Sequence, residues 1–150
     1  YTISYPSEWK ISKPANMATM FSGRDGAPGD AAIVVIQNIK PPGAKTPKEA
    51  GARALNQLRE SLSDAANEFK VLEDKAWTYP RSDKAPIGRQ LVVSYRHQGE
   101  LFQKRMIVMP RAHGTVVHVW SYTAPKSQYV SLRHTADTML KSWTILTDER

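Results

Sequence analysis

The sequence predicts an α+β fold built on a mainly antiparallel sheet, and three observations carry that expectation. Two amphipathic helical stretches stand far apart in the chain, one starting at Thr46 and one after Pro125. Between them runs a series of β-rich segments joined by tight turns. Before them lies Ala31 to Ile36, an apolar segment that shows no polar alternation. Strands grouped around separate helices, instead of alternating with them, argue for antiparallel pairing.

Tyr1 to Tyr5 and Trp9 to Lys13 read as short strands around a Pro6-Ser7-Glu8 turn, because proline fixes φ and removes a ladder donor. Met17 to Ser22 is a third strand, and Gly23 to Asp30, rich in glycine and aspartate, is a loop. The lack of alternation in Ala31 to Ile36 predicts a strand covered on both faces, ended by Lys40-Pro41-Pro42-Gly43. Thr46-Pro47-Lys48-Glu49 starts the first helix: Thr46 caps it, Pro47 suits the first helical position and Glu49 completes a capping box. Leu55, Leu58, Leu62 and Ala65 form its apolar stripe; Arg53, Gln57, Glu60 and Asp64 form the wet face. Glu49 and Arg53 make a favourably oriented i,i+4 pair. In the second helix Tyr129, Leu132, Ala136, Met139, Leu140 and Trp143 recur mostly at spacings of three and four.

Phe69 to Tyr79 is β-rich but interrupted at Glu73-Asp74-Lys75. Gly88 to His97, Glu100 to Met109 and Thr115 to Tyr122 form a meander, turned at Gln98-Gly99 and again at Arg111-Ala112-His113-Gly114. Trp143 to Leu146 adds a short end strand. A two-residue turn pairs His97 with Glu100, Tyr95 with Phe102, Leu91 with Met106 and Arg89 with Val108. Side chains alternate with period two, so Leu91, Val93, Tyr95, Phe102, Met106, Val108, Val117 and Val119 share an apolar face, with Lys104 the exception. Arg96, Gln103, Arg105, His118, Trp120 and Tyr122 share the other face with Val92, Leu101 and Ile107, Trp120 standing opposite Arg105. Two arrangements suit this basic and aromatic face. A helix covers it, with Trp120 and Tyr122 in the core and the arginines reaching to the rim. Alternatively, those six residues line an open groove for an anionic or amide-rich partner, guanidinium over indole.

Composition narrows the function classes. The chain has 150 residues, 21 of them basic and 14 acidic, for a net charge of +7, a size that fits one domain over residues 1–150. Hydrophobic residues at 41% and charged residues at 23% exclude a disordered polyelectrolyte. No apolar run approaches the ~18–20 residues of a spanning helix. With no cysteine, disulfides, thiolate zinc sites, iron–sulfur clusters and cysteine nucleophiles are all excluded, and the composition leans toward export. A chain that opens on Tyr1 points to a removed upstream piece: a signal peptide, a lipoprotein leader or a tag boundary. The positive excess favours acidic partners, but without a block of five or six like charges no nucleic acid is expected.

The sequence offers no catalytic, cofactor or metal site. His97 and His113 lie beside turns, His134 on the wet face of the second helix near Asp137, and His118 in a strand, so no two have ligand spacing. There is no G-x-S-x-G elbow and no phosphate-cradling glycine motif; Gly23 to Gly29 leads into a strand, not a helix.

The order of elements, the opening Tyr1-Thr2-Ile3-Ser4-Tyr5-Pro6-Ser7-Glu8-Trp9 and the closing Met139-Leu140-Lys141-Ser142-Trp143-Thr144-Ile145 resemble the PsbP-like superfamily. That superfamily includes the photosystem II extrinsic P-protein, a Ran-GTPase release factor and bacterial DcrB-like proteins. The resemblance spans nearly the whole chain and implies an αβα sandwich around a twisted antiparallel sheet. It also implies a protein that binds or assists other proteins and is not an enzyme, and it carries over no functional residue. The expected function is therefore a non-enzymatic extracytoplasmic binding or accessory protein, in the periplasm or held at the membrane through a lipid anchor removed from this chain. Its expected partner is another protein or an anionic ligand. A cytosolic DcrB-like chaperone or adaptor is the alternative, and a hydrolase the third choice.

Overall fold

The computed structural model describes residues 2–15, 18–23, 26, 31–65, 67–79 and 87–145. Its elements are β1 (Lys10–Ala15), β2 (Ala18–Ser22), β3 (Ile33–Ile39), α1 (Pro47–Ala65), β4 (Asn67–Trp77), β5 (Gly88–His97), β6 (Glu100–Pro110), β7 (Val117–Pro125) and α2 (Lys126–Ser142). The strands form one seven-stranded open sheet in the order β1-β2-β3-β7-β6-β5-β4, every pairing antiparallel. From β3, in the middle of the sheet, the chain crosses through α1 to the far edge at β4. It then meanders back until β7 lies beside β3. The helices take opposite faces, α1 over β6 and β7 and α2 over β7 and β6, so the α+β architecture is an αβα sandwich.

Local chemistry sets the ends of α1. The Glu49 amide donates to Thr46 Oγ1 at 3.1 Å, and the Glu49 carboxylate returns to accept from the Lys45 amide at 3.3 Å. This is a capping box whose acidic arm lands one residue before the cap. Glu49 also pairs with Arg53 at 3.0 Å, and Arg53 donates to the Pro42 carbonyl at 2.8 Å, tying the preceding turn to the helix. Ala50 and Ala54 are fully buried against Val108, Val117 and Val119, their small side chains bringing the helix close to the sheet. Leu55, Leu58 and Leu62 pack beside them on Leu91, Val93 and Met106.

On the other face Tyr129, Ala136, Met139 and Leu140 of α2, followed by Trp143, join Val34, Ile36, Ile107, Trp120 and Tyr122 in one core cluster. The Tyr122 and Tyr129 rings stack with centroids 4.8 Å apart, and the Tyr122 hydroxyl donates to the Tyr129 carbonyl at 2.9 Å. Packing, not capping, holds this helix, for Pro125 precedes it with no side-chain cap.

The β5–β6 register is the one expected, His97 opposite Glu100 through Arg89 opposite Val108. Gln98 and Gly99 both have positive φ, 51° and 79°, as a two-residue turn of primed type requires. The β6–β7 register differs: Trp120 faces Ile107, and Arg105 faces Tyr122. The connection runs from Arg111 to Val116, closed by the Arg111 amide on the Val116 carbonyl at 3.3 Å, and the longer loop slides β7 by two residues. A two-residue slide keeps every side chain on its expected face.

Other boundaries also shift. β4 runs unbroken through Glu73-Asp74-Lys75, with a register shift between Val71 and Glu73. Those charges suit an edge strand, which a row of ionised side chains protects from pairing with other chains. In β3 only the α2 side, Val34 and Ile36, is fully buried; Ile33 and Val35 are half-buried because α1 packs on β6 and β7 instead. The expected first and last strands reduce to one bridge between Thr2 and Thr144, with both amide-to-carbonyl distances 2.8 Å. Tyr1, Met17, Leu146 and much of the Gly23 to Asp30 loop lie outside the described residues.

Candidate functional site

The six residues expected to share a face are on one side of β5, β6 and β7, and α2 covers most of it. Trp120 and Tyr122 are 0% and 1% exposed, which makes them core, with no ring surface left for a partner. Arg105 reaches the rim of the helix. Its Nη1 donates to Asp137 of α2 at 2.7 Å, its Nε donates to Gln90 Oε1 at 2.9 Å, and its guanidinium lies 5.9 Å from the Trp120 ring centroid. Gln90 passes the chain on to Glu73 at 2.8 Å, and Glu73 meets Lys75 at 2.7 Å. The Lys75 ammonium holds the Glu73 carboxyl below the usual carboxylate range. The network therefore staples α2 to β6, β5 and β4. Gln103 hydrogen-bonds the Tyr129 side chain, whose phenol burial pushes up. Arg96 is engaged by Glu68 at 3.2 Å and by the Gly99 carbonyl at 3.1 Å.

His118 is 3% exposed. Arg111 Nε–H donates to its Nε2 at 3.0 Å, and a guanidinium cannot accept, so that nitrogen carries the lone pair. The proton then sits on Nδ1, 2.7 Å from Asn38 Oδ1, which accepts it. Burial, aided by the Arg111 charge, lowers the pKa to about 4. This is a neutral, satisfied core histidine. On the opposite face burial also holds the Lys104 ammonium below its usual range. Among the described residues no group of three His, Asp or Glu side chains is placed to hold a metal.

Open space lies elsewhere. Between the first turns of α1 and the corner where β5 begins and β6 ends is a cleft of about 740 Å³. Pro47, Gly51, Ala52 and Leu55 form its helix wall, and Val108 and Pro110 its sheet wall. Ile87, 69% exposed, stands at one side with Gly88 and Arg89. Two glycines shape it differently. A Cβ on Gly88 would lie 2.5 Å from the Val108 carbonyl oxygen, so close strand approach demands glycine there. A Cβ on Gly51 would meet Pro110 carbons at 3.5 to 3.7 Å, an ordinary contact, so backbone sterics do not demand it. The polar lining is sparse. The Thr46 hydroxyl caps α1, Arg89 is paired with Asp74, and the exposed Lys48 makes no ion pair among the described residues. No carboxylate, imidazole, thiol or activated hydroxyl is among its described lining residues, which offer a binding surface and, among themselves, no acid–base or nucleophilic group.

The sequence marked Thr46, Pro47 and Leu55 only as parts of a helix, and none of the lining residues as part of a site. The available signal was Gly51, a lone glycine inside a helical pattern, which costs about 1 kcal/mol relative to alanine and calls for a reason.

No protein-family model and no curated protein matches the sequence. Solved structures do match. Cyanobacterial PsbP (CyanoP) from Synechocystis superposes with a TM-score of 0.63 at 11% identity, over 95% of this chain and 84% of that one. The fold is PsbP-like. LpqN, involved in cell envelope biogenesis of Mycobacterium tuberculosis, matches with a TM-score of 0.63 at 17% identity, over 92% and 78% of the two chains. The Saccharomyces cerevisiae Ran-binding protein Mog1p gives 0.56 at 9%, over 91% and 78%. At such identities the likeness is one of PsbP-like architecture, and the CyanoP, LpqN and Mog1p names describe those proteins alone.

Proposed function

We propose that the protein is a non-enzymatic, extracytoplasmic binding or accessory protein whose binding site is the cleft beside the start of α1. One observation carries the reading: a cleft large enough for a ligand, with aliphatic walls and a described lining free of catalytic groups. The absence of cysteine supports a place outside the cytosol, and the likeness in fold to a cell-envelope protein and a Ran-binding protein supports a binding role. The likeness to Mog1p also keeps the second reading, a cytosolic adaptor for a partner protein.

The test is site-specific photocross-linking in the native source. A benzophenone amino acid replaces exposed Ala52 at the cleft, and a control places it at Val130, 77% exposed on α2. A discrete adduct, protein or small molecule, is expected from position 52 and not from 130. Equal labelling, or none at 52, overturns the reading.

A further inference from the structure

We infer that the cleft takes the acyl chain of a long-chain fatty acid, with the carboxylate at the rim beside Lys48 and Arg89; this rests on the cleft being the binding site proposed above. Three observations converge. The walls are hydrocarbon: Pro47, Leu55 and Val108 present no free polar group, and the Thr46 hydroxyl is already bonded to the Glu49 amide. A peptide segment laid there would bring backbone N–H and C=O groups that this wall cannot satisfy, each a desolvation penalty. An acyl chain brings none.

The second observation is charge. Both ionisable groups among the described lining residues are cations, both are exposed, and no described carboxylate lines the cleft. Arg89 is held in place by Asp74, while Lys48 has no ion-pair partner among the described residues. An apolar body with a single anionic head complements that arrangement; a neutral or cationic amphiphile does not.

The third is Gly51. A helix-interior glycine lowers helix stability, and here a methyl group would sit against Pro110 without a clash. What the missing side chain provides is room in the wall of the cleft, where a longer side chain would stand in the path of the occupant.

The experiment is titration of the purified protein with decanoate, dodecanoate and tetradecanoate below their micellar concentrations, with 1-dodecanol as the uncharged analogue. Each two added carbons should tighten binding roughly tenfold until the cleft is filled, from the transfer free energy of two methylenes. Gly51→Leu should weaken dodecanoate binding more than tenfold while the protein stays folded. Should that variant fail to fold, Ile87→Glu alters the facing wall from an exposed position and sets an anion against the carboxylate. Lys48→Gln should weaken dodecanoate about threefold and leave dodecanol unchanged. Affinity that ignores chain length, or that survives both wall variants, overturns the inference. So does a total lack of binding: if position 52 still cross-links, the binding role stands and only the fatty acid falls; if it does not, both fall.

Discussion

Acid should destabilise this protein through a single imidazole. Folded His118 titrates near 4, against about 6.5 for the free side chain. Two partners and burial enforce the neutral form: the Arg111 guanidinium donating to Nε2, the Asn38 carbonyl oxygen accepting from Nδ1, and a ring almost wholly removed from water. Protonating Nε2 would set an imidazolium N–H against an arginine N–H, two donors and two positive charges with no acceptor between them.

Because the folded pKa is depressed, the unfolded chain binds the proton more readily between pH 6.5 and pH 4. Stability contributed by neutral His118 is complete above the unfolded pKa, falls as pH drops through that window and levels off below about 4. At 1.36 kcal/mol per pKa unit the full loss amounts to about 3 kcal/mol. The assay is urea unfolding at half-unit steps from pH 7.5 to 3.5, for wild type and for His118→Gln. Glutamine can donate to Asn38 and accept from Arg111 but does not titrate, so carboxylates common to both proteins cancel in the difference. The difference between the two curves should open below pH 6.5 and approach 3 kcal/mol near pH 4. Parallel curves would refute the reasoning that the fold holds His118 neutral with a depressed pKa.

The two cleft glycines should behave oppositely. Gly88→Ala drives a Cβ to 2.5 Å from the Val108 carbonyl oxygen and should lose about 2–3 kcal/mol in chemical denaturation, whereas Gly51→Ala should gain about 0.5–1 kcal/mol; equal effects of the two would remove the distinction drawn between them. Arg105→Met keeps much of the side-chain volume but leaves Gln90 Oε1 without its donor and Asp137 with Arg133 as its remaining ion-pair partner, and should cost about 1–2 kcal/mol, reduced by the partial exposure of Asp137. Repeating the measurement on Asp137→Asn should then show non-additive losses for the double variant.

How much of this was legible in the sequence depended on the range of the interaction. The α1 capping box and the β5–β6 hairpin are encoded within a few residues, and both formed as read. Arg105 and Trp120 required the length of a six-residue connection, which composition does not fix, so their pairing slid by two while their face held. Glu73-Asp74-Lys75 looked like a break because three charges disfavour a strand. Its partners Gln90, Arg89 and Arg59 come from β5 and α1, and long-range pairing overrode local preference. Whether Trp120 and Tyr122 faced a groove or a helix could not be decided by period-two alternation, since both arrangements put them on that face. The cleft left no motif at all. It is assembled from the start of α1, the start of β5 and the end of β6, and its lining is largely aliphatic, the residue class that also builds cores.

The two faces of this sheet show why a pattern of apolar residues tells where a core will be but not whether it will close. Each face receives one amphipathic helix. The α2 helix and the residue after it bring Tyr129, Met139, Leu140 and Trp143, large side chains that fill the space over β6 and β7 so fully that Trp120 has no exposed surface. The start of α1 brings Ala50, Gly51 and Ala54 at the same kind of spacing. Small residues let the helix axis approach Val108 and Val117, which secures the contact beneath, but they carry no volume to extend sideways toward Ile87 and Pro110. A closely seated helix with small side chains thus leaves its flank open, and there the protein keeps an exposed isoleucine, an unpaired lysine among the described residues and a glycine that the backbone does not require. The side-chain volume on one turn of α1, more than the pattern of hydrophobicity along it, separates a sealed face from one that can receive a ligand.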